Sequence, residues 1–442
     1  MNVLLIGNGA REHAIAEAVL RSRRAPALFA YMKSKNPGIA ELAEKVLLGK
    51  YDDLRAVTEW AKGNRIDFAF IGPEDPLCHG VVDALQEAGI PAVGPTKNLA
   101  RLETSKAFTR NLLAKYGIPG NPRFGNFTSL TGIEAFLEGM DGAVIKPDGL
   151  TGGKGVMVQG DHFATRQEAI AICASILAEH GSVTIEEKLE GEEFSLQCLT
   201  DGHSVCATPP VQDHKRRFND DKGPNTGGMG SYSCADHRLP FLTPQDIAAG
   251  LAITEQVAQA IYRETGAYYR GVMYGGFMIT KEGVKLLEYN ARLGDPETMN
   301  ILPLLKTDFI DLCEALLEGR LNQVPVEFAK KATVCKYVVP QDYGLPGPMA
   351  GAPPAPGRIE IGPLGGARLY YSSVDKKADG LYMTSSRAIG IVGIADTLEE
   401  AEAIAEKGTA AIIGAVAHRS DIGTGALIEK RIRHMQELRG GK

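Results

Sequence analysis

The stretch "LLEYNARLGDPET", residues 286–298, runs an apolar strand into polar side chains at alternate positions and then into a Gly-Asp-Pro turn. Side chains two residues apart on a strand share a face and lie about 7 Å apart along it. Glu288, Asn290 and Arg292 are therefore predicted to point the same way, with Leu286 behind them on that face. Two oxygen donors and a fixed positive charge suit a hard cation and an anion that the cation bridges. The alternative is a strand that simply ends in solvent.

Composition and charge are those of an ordinary globular protein. At 442 residues the chain exceeds a single core, so about two to four domains are expected. The net charge of −6 favours neither nucleic acid nor an anionic membrane as a partner. Seven cysteines without a CxxC pair indicate a reducing compartment and argue against a disulfide framework. Without a signal sequence or a long apolar run, the expectation is a cytoplasmic protein.

The first hundred residues alternate short apolar strands with helices. "NVLLIGNGAREHAIAEAVLRS" (2–22) predicts a strand, a glycine turn and a helix, and the pattern repeats, which indicates a doubly wound parallel sheet. Gly7 and Gly9 begin a GxGxxG motif, but Glu12 stands in the third glycine position, which disfavours an NAD site. The helix N-terminus at Gly9 and Arg11 is still predicted to hold a phosphate.

A second segment has the composition of a phosphate-binding loop. Lys106 begins a predicted helix, and "AVIKPDGLTGGKGVMV" (143–158) predicts a strand ending at Lys146, a glycine-rich loop and a second strand. Glycines let backbone N–H groups approach phosphate oxygens, and lysines add positive charge. The loop lacks the Walker A spacing and joins strand to strand, so it predicts a different kind of nucleotide grip or, alternatively, a flexible hairpin. The loop residues concerned are Gly149, Gly152, Gly153, Lys154 and Gly155.

The segment "SVTIEEKLEGEEFSL" (182–196) has the features of a purine hinge. It predicts a strand ending at Glu186 and Glu187, followed by Leu189 and then Glu193. A purine needs backbone donors and acceptors beside an apolar contact, and ribose hydroxyls need a carboxylate. Charged turn residues at the surface are the alternative, and the residues alone leave the two readings of Glu186 and Glu193 open.

These segments resemble a known superfamily. "IKPDGLTGGKGV", "IEEKLEGEEFS" and "EYNARLGDPET" resemble ATP-grasp enzymes, and "QDHKRRFNDDKGPNTGGMGSYS" (212–233) with "RLGDPET" (292–298) resembles the phosphoribosylamine–glycine ligase family. The resemblance covers the whole chain. It implies an α/β ATP-grasp fold with an N-terminal doubly wound parallel-sheet domain, a mobile α+β lid and a small C-terminal α+β domain. The implied divisions are 1–103 for the N-terminal Rossmann-like domain, 104–122 with 191–328 for the central ATP-grasp domain, 123–190 for the lid and 329–442 for the C-terminal domain.

The resemblance also implies a reaction. ATP would activate glycine as glycyl phosphate, and 5-phosphoribosylamine would attack it to give glycinamide ribonucleotide, ADP and phosphate in purine biosynthesis. Phosphoryl transfer needs charge neutralisation and alignment more than it needs a base. Mg²⁺ or Mn²⁺ bound to Glu288 and Asn290 would supply part of the charge neutralisation and part of the alignment. The implied partners are the small-molecule substrates alone, with no nucleic acid or membrane, and the chain is expected to be a monomer or a dimer.

Each residue that matches the family motifs receives an implied role. The implied ATP-binding residues are Lys106, Lys146, Gly152, Gly153, Lys154, Gly155, Glu186, Glu187, Leu189 and Glu193. Among them, Glu186 and the backbone near Leu189 would hold adenine, and Glu193 would hold the ribose. The implied substrate-binding residues are Gly9, Arg11, Asp213, Lys215, Asn225, Thr226, Gly227, Gly228, Arg292, Gly294 and Asp295. The implied catalytic residues are Asp213, Lys215 and Arg292, and the implied metal ligands are Glu288 and Asn290.

The sequence departs from the commoner family pattern in several places. Ala10 replaces a usual glycine, and both the segment 31–38 and the pair Arg217-Phe218 differ from the usual residues. Gly276 stands where many superfamily members place a further metal ligand. These departures put the phosphoribosyl contact of the first domain and a second metal ion in question. Because the motif residues themselves are intact, they indicate divergence rather than loss of activity.

The carboxy-terminal part has ordinary structural signals. "AIGIVGIADTLEEAEAIAEKGTAAI" (388–412) predicts a strand, a cap at Asp396 or Thr397 with Glu400 in the first turn, and an Ala-rich helix. It carries no strong catalytic constellation.

Two other functions fit parts of the sequence. Another ATP-grasp ligase of purine synthesis, such as a formate-using transformylase or a carboxylase, would keep the nucleotide grip. A regulatory nucleotide-binding module would lack catalysis. The segment "HKRRFNDDKGPNTGGMG" (214–230) favours the glycine ligase over the first, and the presence of Glu288, Asn290 and Arg292 argues against the second.

Overall fold

The N-terminal residues form a parallel sheet with helices packed on it. The computed structural model describes residues 1–150, 155–345 and 357–440. The first strands are β1 (Asn2–Ile6), β2 (Ala27–Met32), β3 (Lys45–Leu48), β4 (Phe68–Ile71) and β5 (Ala92–Val93). The helices between them are α1 (Ala10–Leu20), α2 (Pro37–Leu42), α3 (Leu54–Gly63), α4 (Glu74–His79) and α5 (Val81–Glu87). The strand order β3-β2-β1-β4-β5 with parallel pairing is the predicted doubly wound arrangement.

Both faces of this sheet are buried, as its nearly continuous apolar strands require. Leu4 packs with Val57 of α3 and Leu85 of α5 in one core cluster, and Leu5 packs with Ile15 of α1 in another. Polar groups therefore collect at the carboxyl ends of β1 and β4, where ligands bind in open parallel sheets.

A small antiparallel sheet with its own core follows. It is preceded by α6 (Arg101–Thr104) and α7 (Lys106–Lys115). Its elements are β6 (Phe124–Phe127), α8 (Ile133–Glu138), β7 (Ala143–Pro147), β8 (Met157–Val158), α9 (Arg166–His180) and β9 (Val183–Glu187). The strand order is β6-β9-β7-β8, and β7 pairs with β8 in an antiparallel hairpin. The glycine-rich loop thus joins strand to strand, as predicted.

A second antiparallel sheet forms the middle of the chain. The strands of this region are β10 (Glu192–Thr200), β11 (Val205–Ala207), β12 (Gln212–Asp213), β13 (Arg216–Phe218), β14 (Lys222–Asn225), β15 (Gly230–Ser233), β16 (Gly271–Thr280) and β17 (Gly283–Asn290). The helices are α10 (Pro244–Thr265), α11 (Thr298–Ile301) and α12 (Phe309–Glu318). The sheet order is β11-β10-β16-β17, and β13 pairs with β14 in a separate hairpin.

Strand β17 contains a β-bulge, and Leu286 therefore does not lie on the face predicted for it. Phe277 of β16 pairs with Leu286, but the neighbouring Gly276 pairs with Glu288, so Leu287 is an extra residue. Leu286 is fully buried in the core, whereas Leu287, Glu288 and Asn290 line a cleft. The prediction that Leu286 shares a face with Glu288 is therefore wrong, because an extra residue shifts the two-residue alternation of a strand.

The carboxy-terminal sheet incorporates strands from the middle of the chain. Its own elements are β18 (Ala332–Pro340), β19 (Arg358–Ile361), β20 (Arg368–Tyr371), β21 (Val374–Lys377), β22 (Gly380–Met383), β23 (Ile389–Ala395), α13 (Leu398–Ala410), β24 (Ile412–Ile413), β25 (Val416–Ala417) and α14 (Gly425–Leu438). The order β12-β15-β18-β23-β20 ties the residues around Asp213 to this sheet. Thr397 caps α13 with Glu400, which is one of the two predicted caps. Within the described ranges, no helix combines the length and apolarity needed to cross a membrane.

Helix α13 packs so closely on β23 that the strand needs a glycine. A Cβ added to Gly393 would lie 2.8 Å from the Ala405 nitrogen and closer still to the Ala401 carbonyl oxygen. We expect Gly393→Ala to lower the free energy of unfolding by about 1–3 kcal/mol, since overpacking forces the helix away from the sheet. Urea denaturation followed by circular dichroism measures the loss.

Gly63→Ala is the matched control. Gly63 ends α3, and no described atom lies within 4 Å of a Cβ built there. Its effect should stay within about 1 kcal/mol, in the direction of higher stability, because alanine is the better helix former. An equal loss in both variants would contradict the close packing of α13 on β23.

Candidate active site

A cleft of about 690 Å³ opens between the first sheet, the small antiparallel sheet and the middle sheet. Most of the residues predicted from the sequence line it. They are Arg11, Lys106, Lys146, Glu186, Glu187, Leu189, Glu193, Asp213, Lys215, Asn225, Thr226, Gly227, Glu288, Asn290, Arg292 and Asp295. Gly9, Gly155, Gly228 and Gly294 are not part of this lining. The predicted residues Gly152, Gly153 and Lys154 lie outside the described part of the chain.

Glu288 has the properties of a cation ligand. Burial would raise the pKa of its carboxyl group, but the charges of Lys215, Lys146 and Lys106 outweigh burial and hold the pKa below its ordinary value. No described residue donates a hydrogen bond to this carboxylate (residues 1–150, 155–345 and 357–440). An ionised carboxylate that faces a cleft with unused lone pairs fits a hard cation.

Few other described side chains near Glu288 could hold a metal ion. The Asn290 Oδ1 atom lies two residues further along the cleft face and accepts a hydrogen bond from Arg292 Nη2 at 3.0 Å. Gly276, opposite Glu288 on β16, adds no ligand side chain. In the described ranges there is no group of three or more His, Cys, Asp or Glu side chains placed to hold a metal. The donor set fits Mg²⁺, which is typically bound by one or two protein oxygens together with phosphate and water oxygens.

Two lysines face this strand from the other side of the cleft. Lys106, the first residue of α7, donates from Nζ to the Gly149 carbonyl oxygen at 2.7 Å, and burial lowers its pKa. Lys146, in β7, donates to Glu186 Oε2 at 2.8 Å and to the Leu287 carbonyl oxygen at 3.2 Å. Their charges lie near Glu288, where the phosphates of a bound nucleotide would be neutralised.

The structure places Glu186 differently from a simple adenine contact. Both of its carboxylate oxygens accept hydrogen bonds from Arg110, at 2.8 and 2.9 Å, and one also accepts from Lys146. Burial would raise the pKa of Glu186, but the two cations hold it at about 2. Arg110 was not predicted from the sequence, because a lone arginine one turn after Lys106 on a helix carries no local signal.

Arg292 is clamped by carboxylates at the far end of the strand. Its Nε donates to Glu74 at 3.1 Å, and its Nη2 lies 3.2 Å from Glu103. Burial would raise the pKa of Glu74, but Arg292 and Arg11 hold it at about 2. The Glu103 carboxylate also accepts the Ala291 backbone N–H at 2.7 Å, so it fixes the end of β17 as well as Arg292.

The predicted anion site at Gly9 is largely filled by the protein. The Gly9 N–H donates to Glu12 Oε2 at 2.6 Å, and the Glu12 side chain occupies the space beside Gly7 and Gly72. A carboxylate in this turn leaves no room for a pyrophosphate, which agrees with the argument against an NAD site. Of the two residues predicted there, only Arg11 reaches the cleft.

Asp213 and Lys215 lie side by side on the opposite wall. Lys215 Nζ donates to Glu193 Oε2 at 2.8 Å, and this carboxylate is the main reason that the pKa of Lys215 is raised. Burial, followed by repulsion from Glu297, raises the pKa of Asp213. The Lys215 carbonyl oxygen accepts the Thr226 N–H at 2.7 Å and so anchors the glycine loop that follows.

The carboxy-terminal region contributes Arg387, which the sequence analysis missed. Its guanidinium lines the cleft, lies 4.4 Å from the Tyr337 ring centre and donates from Nη1 to the Asp295 carbonyl oxygen at 3.1 Å. It also donates to the carbonyl oxygens of Gly227 and Gly228. Arg387 approaches the cleft through long-range sheet pairing, which no local motif of the carboxy-terminal sequence marks.

The fold and the cleft together define an ATP-grasp ligase. A lysine on the strand before a glycine-rich hairpin faces a strand with an oxygen-donor pair and an arginine, across a gap between two antiparallel sheets. The chain belongs to the phosphoribosylglycinamide synthetase family. Residues 1–103 match the family model of the N domain, and residues 104–298 match that of the ATP-grasp (A) domain.

Relatives extend the match over the whole chain. A phosphoribosylamine–glycine ligase from Methanosarcina barkeri is 49% identical over 440 residues, covering 100% of both chains. One from Methanocaldococcus jannaschii is 50% identical over 447 residues, covering 99% of this chain and 100% of the relative. The prediction of the family is confirmed.

Solved structures agree in fold. The crystal structure of a phosphoribosylamine–glycine ligase from Thermotoga maritima matches with a TM-score of 0.78 at 27% identity, covering 96% of this chain and 100% of that one. A biotin carboxylase domain from Hydrogenobacter thermophilus, solved with MgADP, matches with a TM-score of 0.70 at 15% identity, covering 100% and 95%. At that identity the second match concerns the fold alone. The predicted ATP-grasp fold is confirmed.

The low pKa of Glu186 predicts how stability depends on pH. Its folded pKa of about 2 lies below the ordinary 4.5, so the stability it contributes is complete above about pH 4.5 and is lost as the pH falls towards 2. We expect Glu186→Gln to cost about 3–5 kcal/mol at neutral pH by leaving Arg110 and Lys146 unpaired, and to flatten the acid decline. Thermal unfolding from pH 6 to pH 3 measures both effects, since this range of about three pH units contains the ordinary pKa of a glutamate side chain.

Glu179→Gln on α9 is the control, since the Glu179 side chain is 76% exposed. Its thermal midpoints should parallel those of the wild type at every pH. If Glu186→Gln loses stability in acid as the wild type does, then Arg110 and Lys146 do not keep the Glu186 carboxylate ionised at low pH.

Proposed function

We propose that this chain uses ATP to join glycine to 5-phosphoribosylamine, by way of glycyl phosphate, giving glycinamide ribonucleotide, ADP and phosphate. The observation that carries the proposal is the full-length similarity to phosphoribosylamine–glycine ligases, at 46–50% identity over 439–447 residues. The cleft supports the same reaction, since it combines a nucleotide grip with a carboxylate-rich acceptor end.

The reaction needs an activated carboxyl group. An amine does not displace oxide or hydroxide from a carboxylate at a useful rate, so one glycine oxygen must first carry a phosphoryl group. The glycine oxygen attacks the terminal phosphorus of ATP, ADP leaves, and the amine then displaces phosphate from the acyl carbon. Both steps require that charge be neutralised and the reacting atoms aligned, which fixed side chains provide.

In this proposal the nucleotide lies along β9 and β7. The backbone of Glu187–Leu189 meets the adenine, with Val144 and Met278 among the apolar wall residues. Glu193 holds the ribose hydroxyls in place of its 2.8 Å pair with Lys215. Glu186 does not contact the nucleotide directly, since its carboxylate oxygens already accept hydrogen bonds from Arg110 and Lys146.

The phosphates lie between the lysines and β17. Lys106 and Lys146 carry the positive charge, and Glu288 with Asn290 hold Mg²⁺ or Mn²⁺ on the opposite side. A bound divalent ion supplies charge neutralisation and a fixed geometry for the transferred phosphoryl group. Arg292 keeps Asn290 in place through the 3.0 Å hydrogen bond and adds a positive charge beside the acceptor.

The acceptor substrates lie at the end lined by Asp213, Lys215 and the 225–228 loop. Lys215 offers an ammonium group to a phosphate or carboxylate oxygen. Asp213, with its pKa raised by burial, is placed to accept a proton from the attacking amine. The proposal extends to a cytoplasmic enzyme with small-molecule partners only, monomeric or dimeric, in keeping with seven free cysteines and a net charge of −6.

The reaction predicts which substrates release phosphate. With Mg·ATP, release of ADP and phosphate should require glycine and freshly generated phosphoribosylamine together, with a ribonucleotide product that retains the mass of glycine. Glu288→Gln should lower kcat by about 10²–10³-fold, since it removes an ionised ligand at the developing charge. Coupled ADP detection measures both results.

Glu282→Gln in the turn before β17 is the control, because its side chain is 57% exposed, and it should retain wild-type turnover. Release driven by another carboxylate in place of glycine would assign the chain to a different ATP-grasp reaction. Wild-type turnover by Glu288→Gln would remove Glu288 from the metal site.

Arg387 predicts a defect confined to the acceptor end. Arg387→Gln removes the donors that hold the Gly227, Gly228 and Asp295 carbonyl oxygens. We expect the KM for glycine or phosphoribosylamine to rise about tenfold, since one or two hydrogen bonds of a charged group are lost, while ADP affinity changes by less than about threefold. Steady-state kinetics and calorimetry with ADP measure the two quantities.

Arg368→Gln on β20 is the matched control, as an arginine of the same region whose side chain is 44% exposed. It should leave both quantities unchanged. If Arg387→Gln lowers ADP affinity and leaves the KM for glycine and phosphoribosylamine unchanged, then holding the 225–228 loop is not the main contribution of Arg387.

A further inference from the structure

Arg110 stands where three elements of the site meet. Its side chain is 2% exposed, and each group of guanidinium donors has an acceptor. Nε and Nη2 donate to the two oxygens of Glu186 at 2.8 and 2.9 Å. Nη1 donates to the Leu286 carbonyl oxygen at 2.9 Å and to Asn121 Oδ1 at 3.4 Å, and Nη2 also reaches the Leu287 carbonyl oxygen at 2.7 Å.

The acceptors other than Asn121 belong to two different sheets. Glu186 lies near the end of β9 in the small antiparallel sheet, whereas the two carbonyl groups belong to the bulge of β17. The bulge is the point at which the strand turns Glu288 towards the cleft. One side chain therefore holds the bulge and the small sheet in a fixed relation.

Lys146, one of the two lysines of the proposed phosphate site, takes part in the same contacts. Lys146 shares both Glu186 Oε2 and the Leu287 carbonyl oxygen with Arg110. Lys106 lies four residues before Arg110, on the same face of α7, since side chains at i and i+4 are neighbours on a helix. Lys146 and the bulge thus belong to one hydrogen-bonded group with Arg110, and Lys106 lies on the helix that carries Arg110.

Stability alone does not account for such a group. A buried arginine–glutamate–lysine cluster costs desolvation energy, and apolar residues of similar volume often stabilise a fold at least as well. What the planar guanidinium offers is direction, because its fork can satisfy a carboxylate and two successive carbonyl groups at once. A lysine, with one nitrogen, cannot span all these acceptors.

We propose that Arg110 is a positioning residue that holds the β17 bulge against the small sheet and thereby places Glu288 for the cation of a metal–nucleotide complex. The inference rests on the proposed function, because it assumes that Glu288 meets that cation. Arg110 itself touches neither the metal nor the nucleotide in this role.

The direct test is Mn²⁺ binding in the presence of ADP, followed by electron paramagnetic resonance, in Arg110→Lys and the wild type. We expect the Mn²⁺ dissociation constant to rise about 10–100-fold, the usual effect of removing a residue that orients a metal ligand. ADP affinity measured without metal should change by less than about threefold, since the hinge backbone and Glu193 are untouched. Thermal unfolding is recorded on the same samples.

Arg419→Lys is the matched control. Arg419 is also fully buried and bonded to two carboxylates, Asp221 and Asp421, but it does not line the cleft. It should lower the thermal midpoint without changing Mn²⁺ affinity. A lowered midpoint with unchanged Mn²⁺ affinity in Arg110→Lys would overturn the proposal, because a purely structural role gives that pattern.

Asn121→Ala serves if Arg110→Lys does not fold. It removes one acceptor of Arg110 at a half-buried position and is expected to weaken Mn²⁺ about threefold, the effect of one hydrogen bond. Unchanged Mn²⁺ affinity there would overturn the proposal as well. The ligation assay on the wild type separates the two inferences: absence of ligation refutes the function, whereas normal ligation with a normal Mn²⁺ response in Arg110→Lys refutes only the role of Arg110.

Discussion

The site depends on one extra residue in β17. Up to Leu286 the strand alternates in register with β16 and buries that side chain in the core. The extra Leu287 shifts the alternation of side chains along the strand by one residue. As a result, Glu288 and Asn290 face the cleft while Tyr289 remains buried. Without this bulge, the alternation that buries Leu286 would also carry Glu288 into the apolar core, where an ionised carboxylate is not tolerated without partners.

Most charged side chains of the cleft form ion pairs within the protein. Lys215 pairs with Glu193, Lys146 with Glu186, and Arg292 with Glu74 and Glu103. These pairs compensate the charges of the cleft, including those of the buried Lys146 and Glu186. Glu288 differs from the other carboxylates, since several cations lie near it but no described residue bonds to it. The cleft is thus organised around a carboxylate that is held ionised and left available.

Local patterns predicted the fold and most of the lining. Alternating strands and helices indicated the parallel sheet, and the polar strand end at 288–292 with the glycine-rich hairpin indicated the phosphate site. The bulge was not predictable, because a single added residue leaves the apolar pattern of a strand almost unchanged. The contact of Glu186 with Arg110 was not predictable for a similar reason, since the two residues are 76 positions apart in sequence.

Long-range approach also explains the other differences. Arg387 reaches the cleft only because β12 and β15 join the carboxy-terminal sheet, and no local motif marks that arrangement. Glu12 was recognised as incompatible with a dinucleotide turn, yet its hydrogen bond to the Gly9 N–H, which removes an expected anion contact, depends on the folded geometry. Sequence patterns therefore predicted most of the residues that line the cleft, and tertiary contacts decide which of their polar groups already have partners.

The most direct measurement follows oxygen from glycine during turnover. With glycine labelled by ¹⁸O in both carboxyl oxygens, a reaction through glycyl phosphate must transfer one labelled oxygen to each phosphate released, because the carboxylate oxygen that attacks ATP leaves with the phosphoryl group. Mass spectrometry of the phosphate should show one ¹⁸O per product molecule formed. Unlabelled phosphate, with the ligated product still formed, would contradict activation of glycine by phosphoryl transfer in this cleft.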